Sequence, residues 1–164
     1  MRLLALLVLL LWPAIAAAWS GTVVRVDEGE DLTIMDEHSS RIRTRLYGVA
    51  TPASGQRHAV HASEHARKQT AHQPVAVQER GIDSQGRIVA LVTLAYGPSL
   101  NADMVANGWA WVDRDECRNA ECAGWLLLEE KAREERLGLW RYEHPILPAE
   151  WRARQIIGEG GPCD

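Results

Sequence analysis

Short extended segments with turns between them, and helices inserted among them, are what most constrains the fold of this chain. Residues 21–25 carry the paired valines of a strand, 27–31 form an acidic turn, and 32–35 resume extended character. Residues 41–47 alternate polar and apolar side chains and read as a further strand. After the break at 52–55, residues 56–70 contain no Gly or Pro and place Ala59, Ala62 and Ala66 on one face, which predicts a helix. Strands are expected over 74–79 and 86–94, a short helix over 100–107 capped by Ser99, a short strand over 109–112 and a long amphipathic helix over 121–137 stopped by Gly138. Several short strands with helices between them suggest a small barrel with helices at its side or base, a mainly β fold with α.

The first eighteen residues have a different character. Arg2 gives a positive start, residues 3–11 are apolar, and Ala16, Ala17 and Ala18 offer small residues for cleavage. This predicts a signal peptide over 1–18, a barrel domain over 19–143 and a loosely ordered C-terminal tail over 144–164. The apolar run is too short to favour a membrane span, so no stable membrane insertion is expected after cleavage. The expected location is exported, either periplasmic or secreted.

The formal net charge is −4, and removing Arg2 with the leader makes it more negative. Such a balance counts against tight sequence-independent binding of nucleic acid, though a local basic cleft is compatible with it. Three cysteines lie beyond the leader. Cys117 and Cys122 flank a short polar loop, which favours a local disulfide worth about 2 kcal/mol on the chain-entropy argument. A Cys-x4-Cys metal half-site is the alternative. Cys163 is then left without an intrachain partner.

Two segments carry the candidate chemistry. The first reads Arg45-Leu46-Tyr47-Gly48-Val49-Ala50-Thr51-Pro52-Ala53, the second Asp83-Ser84-Gln85-Gly86-Arg87. With them come Gly29-Glu30-Asp31, Leu100-Asn101, Gly108-Trp109-Ala110, Ala132-Arg133 and Gly138-Leu139-Trp140, in that order along the chain. From about residue 21 to 140 this series resembles the staphylococcal nuclease (thermonuclease) family. The resemblance implies a five-stranded oligonucleotide-binding (OB-fold) barrel with three helices, and Ca2+-assisted hydrolysis of DNA and RNA phosphodiester bonds. It also implies that Arg45 and Arg87 bind the phosphate and stabilise its developing charge. Glu30 would stand at a metal-binding aspartate, and Thr51 would offer its backbone carbonyl to the metal. The two arginines should converge on one cleft, with Glu30 neutralising part of their charge.

The sequence departs from that pattern at the acids. Ala50 stands at the second metal-binding aspartate and Ala53 at the glutamate assigned as general base. Gln85 replaces a base-stacking tyrosine, and Arg114 and Asp115 lie where further tyrosines are expected. Removing a general base costs about 10²–10⁴-fold in rate, and calcium wants six to eight oxygens.

His58, His61 and His65 fall at i, i+3 and i+7 of the helix expected over 56–70. They form either a polar helix face or a site for Zn2+ or another transition metal, with Glu64 and His72 the nearest further ligands. Trp109, Trp111, Trp125, Trp140 and Trp151 are either core anchors, in a chain without Phe, or surfaces for stacking bases. Arg41 and Arg43 share a strand face with Arg45 and either extend a phosphate track or pair with surface acids.

The leading expectation is an exported thermonuclease-like domain that keeps a cleft for nucleic acid or another phosphate-bearing ligand while its carboxylates have degenerated. The alternatives are an active secreted metal-dependent endonuclease and an envelope module that binds a protein partner.

Overall fold

The computed structural model describes residues 18–71, 73–142 and 144–156. The predicted leader up to residue 17, His72, and Cys163 with its expected lack of an intrachain partner lie outside the described residues. Five strands close a barrel in the order β1 (Ala18–Glu28), β2 (Asp31–Asp36), β3 (Arg41–Leu46), β6 (Ile88–Leu94) and β5 (Pro74–Ile82), with β5 pairing back onto β1. Every contact in this ring is antiparallel except β3 with β6, where Thr44, Arg45 and Leu46 lie opposite Ile88, Val89 and Ala90. A second, two-stranded sheet joins β4 (Val49–Ala50) to β7 (Trp111–Val112). The helices are α1 (Ala59–Thr70), α2 (Leu100–Ala106), α3 (Glu121–Glu134) and α4 (Pro148–Ile156), and a 3-10 turn spans Gly138–Arg141. Among the described residues no helix is long and apolar enough to cross a membrane.

Alternation decides what faces inward. In β2 and β3 the side chains of Leu32, Ile34, Thr44 and Leu46 are buried, while Arg41 and Arg43 are exposed. Val75 and Val77 of β5 and Val92 of β6 complete the barrel interior. Helix α3 buries Cys122, Trp125, Glu129 and Ala132, a stripe at helical spacing, and the Trp125 ring meets that of Tyr47 at 6.4 Å. Helix α1 buries Ala62 and Ala66 but begins one residue after His58. His58 is the N-cap, with φ 69°, so the helix expected from 56 starts later and His58 is not in its first turn.

Residue Asn101 fastens α2 to the barrel. It is fully buried, and its Nδ2 donates to the carbonyls of Tyr47 (2.9 Å) and Ala90 (3.2 Å) while Oδ1 accepts from the Val92 N–H (3.0 Å). The expected Leu-Asn pair at the helix start is thereby explained. Leu100 fills the core, and Asn101 supplies partners to the Tyr47 carbonyl and the Val92 N–H beside the parallel β3–β6 seam.

The C-terminal segment expected as a loose tail is structured as far as residue 156. Helix α4 buries Trp151, and Gln56 Nε2 donates to the Ile146 carbonyl at 2.6 Å. An aromatic anchor and a hydrogen bond to a distant loop are what a polar, proline-containing stretch conceals from a periodicity argument.

Replacing Asn101 by Ala removes the side-chain partner of the Val92 N–H and the Tyr47 carbonyl, while the Ala90 carbonyl keeps the Tyr47 N–H at 2.8 Å. The substitution should lower unfolding stability by roughly 2–4 kcal/mol. Urea denaturation checks this as a fall in midpoint at an unchanged slope.

Candidate functional site

Arg45 is the penultimate residue of β3 and Arg87 immediately precedes β6, and the register of the pair, with Arg45 opposite Val89, sets the two side chains at the same mouth of the barrel. Between them stands Asp83. Its Oδ2 accepts from Arg87 Nε at 2.7 Å and lies 3.5 Å from Arg45 Nε. The carboxylate is held by its own turn, since Oδ1 accepts from the N–H groups of Gln85 (2.9 Å) and Arg87 (3.0 Å). Burial alone would raise the Asp83 pKa, but the hydrogen bonds from Arg87 and Gln85 and the Arg87 charge outweigh it and hold the group at about 2.

Each guanidinium has a further acid. Arg87 NH1 donates to both oxygens of Asp31 at 2.5 Å. Arg45 is gripped by Glu116, with NH1 to Oε2 at 3.0 Å and NH2 to Oε1. Burial pulls the Arg45 pKa down, while the hydrogen bond and charge of Glu116, with Glu30 and Asp83 behind it, raise it overall. For Asp31, burial pushes the pKa up and Arg87 opposes it without reversing the shift.

The loop after β7 is built to deliver Glu116. Glu116 Oε2 also accepts from the Gly48 N–H at 2.8 Å, and Tyr47 Oη donates to the Glu116 carbonyl at 3.1 Å. Cys117 next door is joined to Cys122 in a disulfide, which selects the disulfide over the metal half-site. Gly48, at φ 66°, is required here because a Cβ would lie 2.8 Å from Cys117 Sγ.

Glu30 sits in the tight turn between β1 and β2. Its Oε2 accepts from the Thr51 N–H at 2.5 Å. Gly29 permits this approach, because a Cβ there would come within 2.9 Å of the Thr51 methyl. Burial raises the Glu30 pKa from 4.5 to about 7; the Thr51 N–H and Arg45 lower it, and the charges of Asp31 and Glu28 add to the rise. Glu30 was expected to neutralise part of the arginines' charge; its charge does act on Arg45, but it does not take the place between the two guanidinium groups. The structure gives that place to Asp83, Asp31 and Glu116 and turns the Glu30 carboxylate toward Thr51 instead.

The calcium implied by the family resemblance finds a poor donor set. Ala50 and Ala53 present methyl groups, and Asp31, Asp83 and Glu116 are engaged by arginines. Among the described residues no three His, Cys, Asp or Glu side chains are grouped to hold a metal. The histidine alternative finds no completed ligand set among the described residues, although the His58 and His61 rings lie 5.7 Å apart. His65 Nε2 pairs with Asp103 Oδ2 of α2 at 2.5 Å, the His61 ring stacks on Trp109 at 6.0 Å, and the His58 ring lies 5.2 Å from that of Tyr142. Histidines at i, i+3 and i+7 can share a helix face without sharing a ligand.

Sequence reasoning did not assign Glu116, because only the fold brings it to Arg45 from 71 positions away. Asp83 carried a usable signal: an Asp two residues before Gln85 and three before Gly86 is an Asx-turn pattern.

Comparison with known proteins gives a consistent picture. The family model described as "Staphylococcal nuclease homologue" matches residues 43–142. A protein of Escherichia coli named "Uncharacterized endonuclease" is 31% identical over 144 residues, covering 88% of this chain and 92% of its own length. A "Micrococcal nuclease" of Shigella flexneri is 32% identical, covering 82% and 83% respectively. The "Staphylococcal-like nuclease CAN1" of Arabidopsis thaliana is 30% identical over 73% of this chain and 36% of its own length.

The raised Glu30 pKa has a measurable consequence. Between its unfolded value of 4.5 and about 7 the folded state holds a proton that the unfolded state has lost. Stability contributed by this group is therefore full below 4.5 and declines as pH rises to 7. Glu30→Gln should remove that decline, making the variant on the order of 1–3 kcal/mol more stable relative to wild type at pH 8 than at pH 5. Paired denaturation curves at the two pH values check it.

Proposed function

This chain belongs to the staphylococcal nuclease family, and from that premise we propose that it is an exported nucleic-acid-binding domain that retains the family's phosphate cleft without the family's calcium-dependent hydrolysis. The observation that supports this most is the single Asp83 oxygen facing both Arg45 and Arg87. It marks a spot where an anion meets two guanidinium groups. A phosphate oxygen is the same kind of acceptor and can take the place of a carboxylate there.

Hydrolysis needs more. In the family reading, Ala53 would have to activate water and Ala50 would have to hold metal, and a methyl group does neither. The arginines alone can orient a phosphate and stabilise charge on it. They are also masked, since Glu116 and Asp31 must yield before a phosphate gains full contact. Binding should thus be weak and steeply salt-dependent. The leader residues Arg2 and 3–11, together with a disulfide, support export. A competing reading, an active metal-dependent endonuclease, is favoured by the names of the relatives.

Incubating purified protein with single-stranded DNA in Ca2+, Mg2+, Mn2+ or Zn2+ separates the two. No Ca2+-dependent cleavage is expected, and Ala50→Asp with Ala53→Glu should restore it. Robust cleavage in Ca2+ that a chelator abolishes would overturn the proposal.

Binding to a short oligonucleotide gives a second check. Arg87→Ala should weaken it about tenfold, roughly one charge-assisted contact, and Arg41→Ala much less. Glu116→Gln keeps an acceptor for the Gly48 N–H but removes the competing charge, so affinity should rise about 3- to 10-fold. Fluorescence anisotropy over a salt series reads both.

A further inference from the structure

Two hollows with a common wall lie beside the arginine cluster. The smaller is a cavity of about 360 Å3 whose lining includes Arg57, His58, Trp111, Tyr142 and Trp151. The larger, about 990 Å3, shares Trp111, Tyr142 and His144 with it and runs from Ala50 past Arg114, Arg133 and Trp140 to Arg152 and Arg154 of α4. Trp111 pairs with Ala50 across the β4–β7 sheet, one residue from the Thr51 N–H that binds Glu30. The double hollow therefore starts at Ala50, next to the loop residue Thr51 that holds Glu30. Much of its wall is the segment 142–156, nearly all of it beyond the residues that the family model matches.

We propose that this double hollow binds a single nucleic-acid strand, with one base entering the aromatic cavity and the adjoining backbone following the groove from Ala50 toward α4. The proposal extends the nucleic-acid reading above by assigning the base-binding part of the site.

Shape and lining favour a planar heterocycle. The smaller volume falls in the range of small-molecule sites. Tyr142 is half exposed and offers ring surface on which any base can stack, while Trp111 and Trp151 are buried in the cavity wall. Two buried polar atoms in the linings have no hydrogen-bond partner in the protein, His58 Nε2 in the cavity and Trp140 Nε1 in the groove. Buried polar atoms normally find partners, and a base edge or a backbone oxygen would supply them. Burial, followed by the charges of His61, Arg57 and Arg141, lowers the His58 pKa, so the ring is neutral at physiological pH. Neutral imidazole offers one donor and one acceptor.

The cavity is preformed. Gln56 Oε1 accepts from the Ala53 N–H at 3.0 Å while its Nε2 holds the Ile146 carbonyl, fixing the C-terminal segment to the loop that carries Ala53. The Arg57 guanidinium lies 4.6 Å from the Tyr142 ring centre, and that of Arg133 lies 4.1 Å from Trp140. Asp113, Asp115, Glu129 and Glu150 line the groove too, and Glu129 binds both Arg114 and Arg133. With its charges nearly balanced, the groove must draw affinity from stacking. That makes the base-dependent part of binding only weakly sensitive to salt, unlike the part due to Arg45 and Arg87.

The test uses the full mature chain and three probes: adenosine, a short oligoadenylate and an abasic strand of equal length. Adenosine carries no phosphate, so its binding does not depend on the arginine site. The indole N–H resonances of Trp111, Trp140 and Trp151 should shift saturably with adenosine, in wild type and in Arg87→Ala alike. The Trp19 indole N–H, held by Glu79, should stay in place. Tyr142, half exposed, can be changed without disturbing the core. Tyr142→Ala should weaken adenosine and oligoadenylate about tenfold and leave the abasic strand unchanged. Loss of phosphate binding in Arg87→Ala with adenosine shifts intact would support the base site and the phosphate reading separately. Unmoved indoles at millimolar adenosine would overturn the proposal. Equal weakening of the abasic strand by Tyr142→Ala would overturn it as well. So would an apolar peptide that shifts these indoles where adenosine does not, since that assigns the hollow to a protein partner.

Discussion

Closing the barrel through one parallel seam, β3 against β6, is the constraint on which the rest of this structure depends. Parallel strands in full register bring like ends together, but this pair is staggered, with the last three residues of β3 opposite the first three of β6. That register places the end of β3 beside the start of β6, so Arg45 and Arg87 meet across a single pairing. Asn101 supplies hydrogen-bond partners beside that seam from α2, and α2 in turn carries Asp103, which fixes His65. Core closure and site assembly are in this sense one event.

Two like charges brought together in a half-buried cleft need acids between and around them. Here the acids come from three separate places: Asp83 from the turn before β6, Asp31 from the start of β2 and Glu116 from the loop stapled by the Cys117–Cys122 disulfide. At rest the two guanidinium groups are thus fully countered by carboxylates. A bound phosphate must compete with protein carboxylates, which keeps the arginines ordered without ligand and keeps affinity for ligand modest.

Much of this was legible in the sequence, for identifiable reasons. The alternation over 41–47 reported a strand with Leu46 facing inward, and the spacing of Cys117 and Cys122 reported their bond. The ordered motifs placed Arg45 and Arg87 in one cleft because a shared fold preserves such meetings. What escaped depended on long-range contact. Glu116 has no local pattern that points at Arg45, and the two residues of β4 are too few for periodicity to register. The histidine spacing at 58, 61 and 65 offered a metal as one reading, but Asp103 engages His65 and no three ligand side chains group together among the described residues. The segment after 143 read as a tail, since nothing local shows that Trp151 is buried or that Ile146 is tied to Gln56.

The central claim is that the arginine pair is a retained phosphate seat, masked by acids and lacking the hydrolytic carboxylates. A crystal structure of the mature chain grown with Ca2+ and a 5′-phosphorylated dinucleotide tests it most directly. The account predicts an intact dinucleotide with a phosphate oxygen between Arg45 and Arg87 and with Glu116 withdrawn from Arg45. A cleaved dinucleotide, or a phosphate bound elsewhere while Glu116 stays on Arg45, would contradict it.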